Sequence, residues 1–196
     1  MVVFWFILIT LAVFLLMEGV AWASHRWIMH GWGWDWHQSH HEPRTGLLEK
    51  NDLYAVVGSA TGFGLFLIGY LTGSWPVYAV AAGVTGYGIA YAIFHDGLVH
   101  QRWPFTWVPR HGYLRRLIQA HRLHHAVMTR GGSVSFGFLI APDPKALAAE
   151  LKALRAARNR QRLASADSCQ FLPTQTSSAD EHDEHIPAGD AQDLRR

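Results

Sequence analysis

VVFWFILITLAVFLLMEGVAWA, running from Val2 to Ala23, is the stretch that decides the fold. It is nearly unbroken apolar sequence, and about 22 residues at roughly 1.5 Å each cover a hydrocarbon core of about 30 Å. A cleavable leader is the competing reading, since Ala21-Trp22-Ala23 has the form of a cleavage site. The stretch has no basic start and carries Glu18 inside its apolar run, so it reads as a retained membrane span. Working outward, a second apolar run covers about 53–71, Thr72-Gly73-Ser74 turns the chain, and a third run covers about 75–94. Both are rich in glycine (Gly58, Gly62, Gly64, Gly69, Gly83, Gly86, Gly88), which suits close helix packing in lipid. Neither shows the polar stripe expected of paired helices in a water-soluble bundle, so together they read as a membrane hairpin.

The 196 residues leave room for one domain plus a tail. Mean hydropathy is only +0.03, because the apolar first half is averaged with a basic and then polar second half. The net charge of +2 matters through its placement. Arg26, Arg44, Lys50, Arg102, Arg110, Arg115, Arg116, Arg122 and Arg130 flank the inner ends of the spans, while the N-terminus and the 72–75 turn carry no basic side chain. The positive-inside rule then turns the N-terminus and that turn outward and makes the rest, C-terminus included, cytoplasmic. The expected fold is an all-α integral membrane protein, with three or four transmembrane helices under a cytoplasmic, histidine-rich helical cap. Its domain covers 1–163, with 133–141 too short to span and therefore re-entrant, interfacial or core. After Pro142 an Ala/Arg-rich helix runs to about Leu163, and 164–196 has the composition of a disordered polar tail. Cys169, the one cysteine, lies there; a single thiol makes neither an internal disulfide nor a Cys-ligated cluster.

Thirteen histidines are far more than the roughly four or five of ordinary usage. His182 and His185 fall in the tail and His111 stands alone. The other ten form four boxes: His25 and His30, His37 with His40 and His41, His95 and His100, and His121 with His124 and His125. An H-x4-H pair followed by H-x2-H-H thus occurs twice, and every box falls on one side of the membrane. In H-x2-H-H, positions i, i+3 and i+4 share one helix face, so three imidazoles converge. Asp35 and Gln38 suggest a capping box ahead of His37, Pro43 ends that helix, and Leu114, Leu117, Ile118 and Leu123 give α periodicity around His121. In H-x4-H the two residues differ by roughly 140° on an ideal α-helix. Each such pair therefore lies where a span ends and its helix distorts, or its members serve different metals.

Ten imidazoles exceed what one ion holds, whereas two ions with four to six ligands each use most of them. Imidazole suits Fe, Zn, Cu and Ni alike; zinc-protease chemistry is disfavoured because no H-E-x-x-H is present. Iron is favoured by setting: a site at the membrane face, reached by a lipid-soluble substrate, suits O2-dependent attack on an unactivated C–H bond. Ligating imidazoles need acceptors for their second nitrogen. Glu18, seven residues before His25 on nearly the same helix face, is one candidate, and Asp96 beside His95 is another. Asp52 is a third, although Asn51-Asp52 equally reads as the cap of the second span. Trp32, Trp34, Trp36, Trp103, Phe105 and Trp107 either guide a polyene or form a membrane-interface belt. The arginines from Arg110 to Arg122 either dock an acidic electron donor or anchor the inner face. Nothing points to nucleic acid.

The strings His25–Gly33 (HRWIMHGWG), His37–Arg44 (HQSHHEPR), Asn51–Val57 (NDLYAVV), His95–Phe105 (HDGLVHQRWPF) and His121–Ala126 (HRLHHA) resemble the bacterial β-carotene hydroxylases. The resemblance covers about Glu18 to Pro142, with no departure from the family's histidine pattern; the tail has no counterpart. It implies the fatty acid hydroxylase superfamily fold, two non-haem irons, O2 as co-substrate, a ferredoxin-type electron donor and a bacterial inner membrane. It also implies 3-hydroxylation of β-ionone rings, giving zeaxanthin from β-carotene or astaxanthin from rings that already carry ketones. A fatty acyl or sterol hydroxylase or desaturase, or a carotenoid ketolase, shares this metal chemistry. A non-enzymatic haem or metal carrier is a more distant rival, and it needs paired histidines at membrane depth.

Overall fold

The computed structural model describes residues 1–44, 46–104 and 107–170, with the side chains of 167–170 excepted. Phe105, His182, His185 and the side chain of Cys169 therefore lie outside the described residues, as does the tail from 171 onward. Among the described residues there are six α-helices: α1 (Val2–Ala23), α2 (Trp34–His41), α3 (Asp52–Thr72), α4 (Trp75–Tyr91), α5 (Gly112–His125) and α6 (Pro144–Gln170). No strand occurs among the described residues. The chain divides into one unit, Met1–Asn159, and a second beginning at Arg160, helical through Gln170.

Three helices are long and apolar enough to cross a membrane: Val2–Trp32, Asp52–Thr72 and Trp75–Val99. In their most apolar windows only 6%, 11% and 22% of residues are buried. Leu15, Leu16, Phe63, Ile68 and Leu71 are among the apolar side chains left exposed. Among the described residues these helices are therefore not enclosed as the buried pair of a soluble bundle would be. α4 packs between α1 and α3. Gly83 makes the first contact possible, because a Cβ there would sit 2.7 Å from the Thr10 carbonyl oxygen and from Val13 Cβ. The Thr10 hydroxyl donates to the Ala79 carbonyl at 3.1 Å across the same seam. Gly62 plays a similar part against Thr85, whereas nothing lies near Gly58, Gly64 or Gly88. The hairpin turns at Gly73, whose φ of +62° is the left-handed cap that ends α3, and Pro76 opens α4.

Two spans run on past their α-helical parts as π-helix, over Ser24–Trp32 and Ala92–Val99. At roughly 1.5 Å per residue, a span starting at Val2 passes the edge of a core of about 30 Å before His25. A compact apolar core lies at this end, built from Leu98, Val99, Leu117, Ile118, Val127, Val134, Phe138, Leu147 and Leu151. The 133–141 piece is irregular backbone laid into that core, with Val134, Phe136, Phe138 and Ala141 buried. α6 begins at Pro144 and continues to Gln170, past the expected end near Leu163.

The expected capping box is not formed. α2 follows the first π-helical segment directly, with Gly33 as its N-cap and its N–H bonded back to the Ile28 carbonyl at 2.9 Å. Asp35 sits in the first turn and pairs with Lys50 at 3.5 Å, while Gln38 donates to Glu42 at 2.7 Å. Two helices abut at a single residue here, so no flanking side chain is available to cap. Glycine is required at that joint because a Cβ on Gly33 would collide with the Tyr54 hydroxyl, which donates to the Gly33 carbonyl at 2.9 Å.

Candidate metal centre

Each box owes its shape to a local helix geometry. The first H-x4-H pair sits in a π-helical segment and the second spans the end of the other, His95 inside it and His100 as its C-cap, where an i→i+5 bond closes one turn and stacks residues five apart. The His100 N–H donates to the His95 carbonyl at 2.9 Å, the i→i+5 bond of such a turn. Expected distortion at the span ends therefore takes a definite form, one that brings H-x4-H onto a single face. The triplets sit on α2 and α5 with ordinary i, i+3, i+4 convergence. On α5 the stripe of Leu117, Ile118, His121 and His124 is buried, so the imidazoles occupy the position of a hydrophobic seam.

Nine of the ten imidazoles gather in two groups whose ligand atoms lie within 4.8 Å of one another: His25, His30, His37, His41 and His124, and His40, His95, His100 and His121. His125 joins the second, with its Nε2 2.8 Å from that of His121. All of these close approaches use Nε2. The separations are 3.1 Å for His25–His37, 3.2 Å for His30–His124 and for His37–His41, 3.3 Å for His40–His95 and 3.0 Å for His100–His121. Two nitrogens bound to one ion at about 2.1 Å stand about 3.0 Å apart at right angles and about 3.4 Å apart at the tetrahedral angle. His41 and His125 stack at 4.5 Å where the groups meet.

Seven of the ten turn Nδ1 outward to an acceptor. His25 donates to the Phe136 carbonyl at 3.0 Å, His30 to that of Arg130 at 2.9 Å, His41 to that of Val127 at 2.8 Å and His124 to that of Val134 at 3.0 Å. His37 donates to Asn51 Oδ1 at 2.8 Å, His40 to Glu49 at 3.1 Å and His95 to Asp96 at 2.8 Å. An Nδ1–H so engaged leaves a lone pair on Nε2. Lone pairs facing one another at about 3 Å in a buried site repel unless a cation stands between them, so this donor set fits a pair of metal ions. No carboxylate oxygen belongs to either group among the described residues.

Burial also keeps the imidazoles in the neutral form that binds metal. It holds His41 down at about 4 from the ordinary 6.5, with the charge of His30 next in weight. His37, His100, His121, His124 and His125 are likewise held below the ordinary value, by burial first and then by a neighbouring imidazole. The bond from His40 holds the Glu49 carboxyl below the usual range.

The other expected residues divide. Asp96 accepts a hydrogen bond from His95 Nδ1–H. Glu18 is buried, but its hydrogen bonds go to the N–H groups of Phe138 at 2.7 Å and Ile140 at 3.0 Å and to the Tyr87 hydroxyl at 2.7 Å. It reaches His25 only through the 133–141 piece, a strap that carries the Phe136 carbonyl. Asp52 neither caps α3 nor meets a histidine; it binds Arg102 at 2.6 and 2.7 Å. Trp34 packs on His30, His37 and His41, while Trp32 and Trp107 are exposed. His111 is exposed at the start of α5. Glu49 and the acceptor roles of Asn51 and the four carbonyls escaped the sequence reading. Only the Asn51 side chain carried a signal, standing inside one of the family-like strings.

Residues 10–142 match the family model described as fatty acid hydroxylase. A β-carotene hydroxylase of Pantoea ananas is 54% identical over 154 residues, covering 79% of this chain and 87% of the relative. One from Paracoccus sp. (strain PC1) is 56% identical over 147 residues, covering 74% and 90%. One from Pseudescherichia vulneris is 54% identical over 145 residues, covering 74% and 82%. No solved structure matches.

Proposed function

The chain belongs to the fatty acid hydroxylase family, and from that premise we propose that it hydroxylates carbon 3 of carotenoid β-ionone rings. His25, His30, His37, His41 and His124 would hold one iron, and His40, His95, His100, His121 and His125 the other. The bound irons would supply activation of O2, with one oxygen entering the C–H bond and the other leaving as water. That balance needs two electrons and two protons, delivered through a reduced ferredoxin-type donor. The chain's own part is to position and to exclude. Phe136 packs against His25, His30 and His124, and Phe138 against His95 and Tyr91, so aromatic walls keep water from this side of the centre.

The exposed apolar faces of α1, α3 and α4 support insertion in a bacterial inner membrane, where a carotenoid dissolves. The arginines at the histidine end support a cytoplasmic centre. Arg110, Arg115, Arg116 and Arg122 are exposed there, a surface suited to an acidic electron donor.

The observation that carries the reading is the extent of the match to β-carotene hydroxylases, 54% over 154 residues, far more identical positions than ten histidines could supply. The family description favours one rival, hydroxylation of a fatty acyl chain. Expression in a host that already makes β-carotene, followed by pigment and lipid analysis, separates the two. β-Cryptoxanthin and zeaxanthin are expected; hydroxylated acyl chains with unchanged β-carotene would overturn the proposal.

A further inference from the structure

The two histidine groups match in number and differ in what stands behind them. Around the first, all five Nδ1 atoms meet neutral acceptors: the carbonyls of Phe136, Arg130, Val127 and Val134 and the amide of Asn51. Two cations stand near it, and the Glu18 carboxylate behind the strap is bound by the Phe138 and Ile140 N–H groups and the Tyr87 hydroxyl rather than by an imidazole. The Arg26 guanidinium lies 4.5 Å from the Phe136 ring, and Arg130 donates to the His30 carbonyl at 3.2 Å. Around the second, His40 and His95 meet carboxylates, those of Glu49 and Asp96. The cation on this side, Arg102, is already bound by both oxygens of Asp52. The first group is buried throughout, whereas His100 and His125 of the second are half-buried.

A carboxylate draws the Nδ1–H proton toward itself and makes the ring a stronger donor at Nε2, which a carbonyl does less. An electron-rich ligand set favours the higher oxidation state of the ion it holds. Resting on the two-iron reading above, we propose that Glu49 and Asp96 make the two metal positions unequal. The ion at the second group is the harder to reduce, and the ion at the first group takes the first electron from the donor. Both acids are positioning residues that act through an imidazole.

The test is Mössbauer spectroscopy of the full chain, loaded with iron-57 in detergent and reduced stepwise, beside an iron count per chain. Two doublets of equal area that convert at separate potentials are expected. Glu49→Gln and Asp96→Asn keep an acceptor oxygen for Nδ1–H and remove the charge. Each should shift the later-converting doublet, narrow the gap and leave the other doublet in place. Asn51→Asp puts a charge behind His37 and should move the earlier doublet instead. Loss of one iron of the two in Glu49→Gln or Asp96→Asn, through binding weaker by about 10–100-fold, supports the same assignment. Doublets that move together or not at all, or irons lost in step, overturn it. A native chain that takes up no iron overturns the two-iron reading itself and is told apart by the count.

Discussion

Replacing Glu18 by alanine should release the strap at 133–141 and unsettle the first histidine group without touching a histidine. The carboxylate accepts from the Phe138 and Ile140 N–H groups and from the Tyr87 hydroxyl. Leaving a buried donor unpaired costs about 1–3 kcal/mol. Phe138 and Tyr87 are buried and the Ile140 bond is part-buried, so the two buried donors alone come to about 2–6 kcal/mol. Each 1.4 kcal/mol is about tenfold, so the lower bound makes strap opening more than about twentyfold more frequent. The strap carries the Val134 and Phe136 carbonyls that fix the tautomers of His124 and His25, so iron retention should fall with it. Amide hydrogen exchange at Phe138 and Ile140 in detergent-held protein reads the opening, and an iron count reads the consequence. Glu18→Gln keeps one acceptor oxygen and should open less; Tyr87→Phe removes a single bond and should open least. Unchanged exchange in Glu18→Ala would refute the assignment of Glu18 as the strap's anchor. Fast exchange with full iron content would refute the coupling between strap and centre.

Other outcomes follow from the same contacts. His37→Ala, His40→Ala, His121→Ala and His124→Ala should each abolish hydroxylation and lower the iron count, whereas His182→Ala should change neither; a fully active His121→Ala protein would count against the ligand set. Gly83→Leu should force α1 and α4 apart, since even a Cβ there meets Thr10 and Val13 at 2.7 Å. Overpacking of this kind costs about 1–3 kcal/mol, read as a lower melting temperature in detergent, and an unchanged melt would dismiss the close crossing. In the metal-free protein, His41 has a folded pKa of about 4 against an ordinary 6.5, so between those values the unfolded chain holds the extra proton. Stability is then full above about pH 6.5 and falls on acidification toward pH 4, by at most about 1.4 kcal/mol per pH unit for this histidine. Equal melting of the metal-free chain at pH 7.5 and pH 5 would contradict that.

The features that the sequence disclosed are those governed by a period or a length. Apolar runs long enough to cross a bilayer were legible at Val2–Ala23 and on either side of Gly73 because span length is set by core thickness. The triplets on α2 and α5 were legible because i, i+3 and i+4 share an α-helical face. Apart from Asp96, the acceptors behind the imidazoles were not. Every residue has a carbonyl, so nothing marks Phe136 or Val127 until the fold brings it to His25 or His41. Glu49 and Asn51 reach His40 and His37 across a loop whose path no spacing rule gives. Asp35 misled for a related reason: a cap needs an unoccupied flank, and the preceding π-helical segment already fills it.

The H-x4-H pairs lie between these cases. On an α-helix their members diverge, which set them apart as places of distortion. On a π-helix the same spacing is one turn. A five-residue interval between two ligands at the end of a long apolar span therefore carries its own geometry, provided the helix widens there. The first π-helical segment begins where α1 leaves its apolar stretch, whereas the second opens on Ala92-Ile93-Phe94, the apolar end of its own. The wider turn suits the proposed metal centre, because only there would His25 with His30, and His95 with His100, face the same ion. Ligand spacing and helix form are thus one constraint. An insertion of a single alanine between His95 and His100 should remove the second pair's convergence while leaving all ten histidines present.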